Sequence, residues 1–121
     1  MTELAATMTP REIASQAAEA IRALNHLAAG GGELTSPDEV RDIIASLGLM
    51  GQGLPQLCEQ LARFLVTQDE DGQVAHGSGQ DPGLSVTEVI EALTAAGQAA
   101  DMMTAALDEA HNASAELRSA R

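Results

Sequence analysis

Apolar positions along the chain recur at steps of three and four, the spacing of one helix face. Ile13, Ala17, Ala20, Leu24 and Leu27 form a first stripe, predicting a helix from about Pro10 to Ala28. Val40, Ile44, Leu47, Gly51, Leu54, Cys58, Leu61 and Leu65 form a second, over residues 37–68. Val89, Leu93, Ala96, Ala100, Met103, Leu107, Ala110, Ser114 and Leu117 form a third, over residues 86–118. Each begins behind helix-start chemistry. Thr9-Pro10-Arg11-Glu12 puts a hydroxyl at the cap, proline at the first helical position and glutamate at the third. Ser36-Pro37-Asp38-Glu39 repeats that arrangement, and Ser85-Val86-Thr87-Glu88 repeats it without the proline.

The second stripe crosses LGLMGQGLPQL, a stretch with three glycines and a proline. Pro55 has no amide hydrogen for the carbonyl of residue 51, and its ring crowds that carbonyl. Residue 51 is glycine, which leaves the backbone room to tilt. The apolar phase passes through unbroken, so residues 37–68 read as one helix kinked near Gly51 and Pro55. The alternative is two helices with Pro55 opening the second, because a residue before proline avoids the helical region.

Gly30, Gly31 and Gly32 would end the first helix through a left-handed cap. His26 in its last turn, and Arg118 and Arg121 near the end of the third, suit the negative helix terminus. Residues 1–9 read as a flexible N-terminus and 69–84 as a flexible acidic, glycine-rich loop. At ~1.5 Å per residue the second and third helices would each span about 50 Å, and the first about 30 Å. The expected fold is therefore all-α: one domain, an antiparallel bundle of three main helices, or four if the chain breaks at Gly51–Pro55. Ile90, Met102 and Ala106 fall beside the main stripe of the last helix. Covering them by homodimerisation would complete a four- or six-helix bundle.

Composition removes several functions. The chain carries 18 acidic residues against six arginines, with no lysine and a net charge of −12. Without lysine there is no Schiff-base nucleophile and no complete Walker loop. The charge repels phosphate backbones, which argues against direct nucleic-acid binding and for a basic protein partner. With one phenylalanine and no tyrosine or tryptophan, stacking platforms for bases or flat cofactors are hard to build. The N-terminal segment lacks the basic and apolar regions of a signal peptide, and no apolar run approaches the ~20 residues of a membrane span. Single Cys58 excludes an internal disulfide and agrees with a cytoplasmic location.

Candidate chemistry is sparse. From Asp69 the EF-hand pattern fails, because Gln73 and Val74 stand where a ligand and glycine are needed. Asp108 and His111 share a helix face at a spacing used in bundle metal sites, but neither His26 nor His76 has a carboxylate three residues earlier. Cys58 lies on an apolar stripe, where a free thiol serves as a small hydrophobe. Met102-Met103 suits a pliable contact surface. The glycines at 48–53 follow no strand and precede no Lys-Ser/Thr, so they are no phosphate loop. No catalytic, cofactor or metal residue is assigned.

The segments RALNHLAAGGGELTSPDEV and LPQLCEQLARFL resemble small actinobacterial all-helical proteins of unknown function, in which an Arg-x-Leu-Asn-His helix end, a glycine-rich turn and a Leu-Pro-Gln helix precede an alanine-rich last helix. That resemblance implies the fold class and transfers no site. The secreted type-VII substrates share the outline but carry Trp-x-Gly and a tail tyrosine, both missing here. The expected function is a non-enzymatic helical protein–protein interaction module. Two alternatives are an acidic regulator that sequesters a basic nucleic-acid-binding partner, and a metal-binding bundle at Asp108 and His111.

Overall fold

The computed structural model describes residues 7–30 and 33–120. Within them lie three α-helices: α1 (Pro10–Ala29), α2 (Pro37–Glu70) and α3 (Gly83–Ala113), followed by a 3-10 turn at Ser114–Glu116. No strand occurs among the described residues. Most of the N-terminal stretch expected to be flexible, two of the glycines expected to end α1 (Gly31 and Gly32), and Arg121 lie outside the described residues.

The first two helix starts form as their sequences dictate. Thr9 Oγ1 accepts the Glu12 amide at 3.1 Å, and Glu12 Oε1 accepts the Thr9 amide at 3.1 Å. These bonds, the backbone one first, hold the Glu12 carboxyl below the usual carboxylate range. Ser36 Oγ accepts the Glu39 amide at 3.2 Å, but Glu39 turns back one residue further, to the amide and hydroxyl of Thr35. The third start is displaced. Helix α3 begins at Gly83, not Val86, and Ser85 is already inside it. Pro82, with φ −74°, takes the cap position without a side-chain cap bond, and just ahead of it the Asp81 carboxylate accepts the Gly83 amide at 3.2 Å. Gly30 closes α1 with φ −87°, so the expected left-handed cap is absent there. Among the described residues, left-handed glycines sit in the α2–α3 loop, at Gly72 (φ 71°) and Gly79 (φ 85°).

Helix α2 runs unbroken through Gly51, Gly53 and Pro55, so there are three helices rather than four. At the far end α3 stops earlier than expected, at Ala113. There Arg118 donates to the carbonyls of Ala115 and Leu117, each at 3.2 Å.

Helices α2 and α3 pack against each other as an antiparallel hairpin. Gly48 lies opposite Asp108, Gly51 opposite Thr104, and Gly97 opposite Pro55 and Cys58. The contact is close because small residues line it. A Cβ at Gly51 would collide with Thr104 Oγ1 and lie 3.1 Å from Met103 Cε. That hydroxyl is itself tied to the Ala100 carbonyl at 2.8 Å, so it cannot swing away without losing a bond. Opposite Gly97, an added Cβ would meet Pro55 Cα at 3.5 Å, an ordinary contact. Val86 and Ala100, each 6% exposed, are the buried apolar residues of the hairpin.

The seam is rotated from the one the apolar stripes predict. It follows Ile44, Gly48, Gly51, Pro55, Cys58, Ala62 and Leu65 on α2, and Val86, Ile90, Leu93, Gly97, Ala100, Thr104 and Leu107 on α3, all buried or half-buried. Half of each predicted stripe lies off it. Val40, Leu54 and Leu61 on α2, and Val89, Met103 and Leu117 on α3, are exposed. At 3.6 residues per turn the difference is about 50° on each helix. Close approach selects the row with the smallest side chains, and pattern reading selects the largest.

Helix α1 is held differently. No Cα of α1 comes within 8 Å of one in α2 or α3, and none of its residues is buried. Ile21 and Leu24 face Ile43, Leu47 and Met50 of α2 across an open cavity of about 350 Å³.

Three substitutions test this packing and capping. Gly53 is helical and open, so Gly53→Ala should raise stability by about 0.5–1 kcal/mol in urea unfolding followed by circular dichroism. Gly51→Ala receives the same backbone gain but meets Thr104, and should lower stability by about 1–2 kcal/mol. The lowered Glu12 carboxyl contributes stability to the start of α1 above the unfolded carboxylate pKa. That contribution is lost as pH falls through the folded value. Thr9→Ala should therefore move the Glu12 titration upward in an NMR pH series.

Candidate functional site

Two faces flank the seam, and their chemistry differs. Glu59 of α2 and Thr94, Gln98 and Asp101 of α3 line one groove beside Pro55 and Gly97. Gln52 and Asp108 line another on the same side, with Gly48 and His111. Arg63 pairs with Glu59, both largely exposed, an ion pair worth little in water. This side of the hairpin carries the acids, with Leu49, 69% exposed, among them.

The opposite side is apolar on both helices. On α2 it carries Ile43, Leu47, Met50, Leu54, Leu57, Leu61 and Phe64, stepping four and three without a gap. On α3 it carries Val89, Ala92, Ala96, Ala99, Met103, Ala106, Ala110 and Ala113, stepping three and four. In an antiparallel pair, rows at equal angle from the seam fall on one side, so these two rows form a single face. Helix α1 stands over its first part, at Ile43, Leu47 and Met50. Beyond Met50 the face is bare: Leu57 is 48% and Phe64 66% exposed.

Charge is missing from this face although the chain has a net charge of −12. Between Leu47 and Gln68 of α2 the charged residues are Glu59 and Arg63, and between Val89 and Ala106 of α3 they are Glu91 and Asp101. All four point away from it by helical position. Beside the bare stretch the outer rim is Gly53, Gln60, Ala95 and Met102, uncharged, with Met102 75% exposed; the same α3 row ends in Glu88 on one side and Glu109 on the other. Phe64, the only aromatic residue, and three of the five methionines are gathered here. Such enrichment, with charge excluded, is the make-up of a protein interface core.

The residues expected at an interface divide. Met102 and Ala106 are exposed at and beside this face, and Ile90 is half-buried in the seam row. Leu54, Leu57, Leu61 and Phe64 were not singled out as surface residues. The signal existed as a second unbroken stripe on α2, one row from the predicted one. Gly51 and Pro55, read as a kink, are where α3 approaches.

The other candidates hold less. Cys58 is a half-buried free thiol in the seam. Asp108 is exposed while His111 is half-buried, and among the described residues no three of His, Cys, Asp and Glu are placed to hold a metal ion. In the loop, His76 Nδ1 accepts the Ser78 amide at 3.1 Å and lies 2.7 Å from the Ser78 hydroxyl. The imidazole, with Val74 and Ala75, borders a small cavity of about 150 Å³ against Leu65, Val86 and Val89, beside the end of the bare face. Among the described residues no helix is long and apolar enough to cross a membrane.

No protein-family model, curated protein or solved structure matches the chain.

Because α1 meets the hairpin only across the cavity, its amides should exchange with deuterium at least about tenfold faster than those around Gly51 and Ala100. Hydrogen-exchange mass spectrometry reads this directly. Equal protection in α1 and the seam would contradict it.

Proposed function

We propose that the protein is a non-enzymatic helical interaction module that binds through the uncharged face of the α2–α3 hairpin. One observation carries this reading: in a chain of net charge −12, a continuous apolar face two helices wide holds no charged residue, and beyond Met50 no helix among the described residues covers it. Exposed leucine, methionine and phenylalanine in such a patch are the anchors from which helix-in-groove and bundle contacts are made. A cytoplasmic setting fits the single thiol.

A second reading rests on the other side. Glu59, Asp101 and Asp108 line neighbouring grooves there, an arrangement that supports an acidic regulator drawing in a basic, nucleic-acid-binding protein. The two readings differ in their response to salt. Apolar docking holds or strengthens as salt rises, whereas acidic docking weakens steeply.

Association measured against salt, with Leu57→Glu on the apolar face and Asp101→Asn on the acidic side, separates them. For apolar docking, Leu57→Glu should weaken association on the order of 30-fold or more, and Asp101→Asn should leave it nearly unchanged. The reverse ranking, with loss at high salt, would favour the acidic reading.

A further inference from the structure

The apolar face is asymmetric in size. Its α2 half is built from Leu54, Leu57, Leu61 and Phe64, and its α3 half from Ala92, Ala96 and Ala99. A large row beside a small row is self-complementary under a two-fold axis. Resting on the interaction-module reading, we infer that the occupant of the face is a second copy of this chain, with the leucine row of one protomer seated on the alanine row of the other.

The direction of the two-fold follows from packing. If the axis lay across the helices, leucine would face leucine and alanine would face alanine, one seam splayed and the other void. An axis parallel to the helices, between α2 and α3, places large against small along both seams. That operation preserves height along the hairpin. Gly97 is level with Pro55 and Cys58, so Leu57 of one copy arrives near Ala96 and Ala99 of the partner subunit. Each helix is then antiparallel to both neighbours, so helix ends of opposite partial charge lie side by side.

Size and charge agree with a second copy. The bare region is about 25 Å long at ~1.5 Å per residue and about 20 Å wide across two helices. Two such faces bury on the order of 1,000 Å², the threshold for a specific interface. Two chains each carrying −12 can meet only where no acid lies, and this face meets that condition. A basic partner would find acids only at the two ends of the α3 rim, at Glu88 and Glu109, and none beside Leu57 or Phe64. A lipid surface would require the arginine-rich polar face that interfacial helices carry, and the charged residues beside this one are mainly acidic.

The test begins with light scattering of the full chain over a range of concentrations. A dimer is expected, with Leu57→Glu and Ala99→Glu each shifting its dissociation constant on the order of 30-fold or more while helix content is retained. In a Cys58→Ala background, Leu57→Cys and Ala99→Cys chains are then mixed with a short bifunctional maleimide. Cross-linking is expected between the two different variants and not within either alone. Self-cross-linking of the Leu57→Cys chain would overturn the arrangement. A wild-type monomer at every concentration would overturn the second copy as occupant. If that monomer takes up an apolar dye which Leu57→Glu abolishes, the face remains a docking surface for a different partner. If neither form takes up dye, the interaction-module reading fails with it.

Discussion

The contact between Gly51 and Thr104, with its counterpart between Gly97 and Pro55, sets the distance between the two long helices. Everything else in the molecule adjusts to that distance. With side chains reduced to hydrogen at these crossings, α2 and α3 approach closely enough for a threonine hydroxyl to fill the space a methyl group would occupy. That hydroxyl bonds back to its own helix, so the seam contains a polar atom without leaving it unpaired. Pro55 belongs to the same arrangement. It removes a backbone donor, yet α2 continues through it. Its Cα and carbonyl lie opposite Gly97, so α2 comes closest at the proline where the facing residue is smallest.

A seam of small residues buries little apolar area, and large side chains are displaced from it. In most hairpins leucines fill the centre and polar residues face outward. Here the leucines of α2 stand one row out, and α1 screens part of that row from across a gap. The outcome is a hairpin whose apolar content exceeds what its own fold can cover. Most of its acids lie on the other side, so the two sides of the hairpin differ in chemistry.

Much of this was legible in the sequence, and what was misread has a single origin. Capping chemistry located α1 and α2 to within a residue or two, because Thr9 and Ser36 each offer an oxygen to an orphan amide. The unbroken phase across Gly51 and Pro55 gave one helix instead of two. The start of α3 was misplaced because Asp81, two residues ahead of Gly83, competed with Ser85. The seam was misplaced because apolar periodicity weighs size. Gly97, Thr104 and His111 carry no apolar weight, although they occupy the contact row. Leu54 and Met103 carry much, although they are exposed. A reading weighted toward small residues at helix crossings would have chosen the right row and exposed the bare face with it.

The position of Phe64 has a practical corollary. It is the only phenyl ring in the chain, and it stands near the uncovered end of the leucine row. Lacking tyrosine and tryptophan, the protein is almost silent in the near ultraviolet, so whatever fine structure it shows there comes from this one side chain. A spectroscopist would ordinarily have to introduce a label to watch a chosen surface. This molecule already carries its own, and a change in that weak signal on concentration or mixing would report the environment of one known spot.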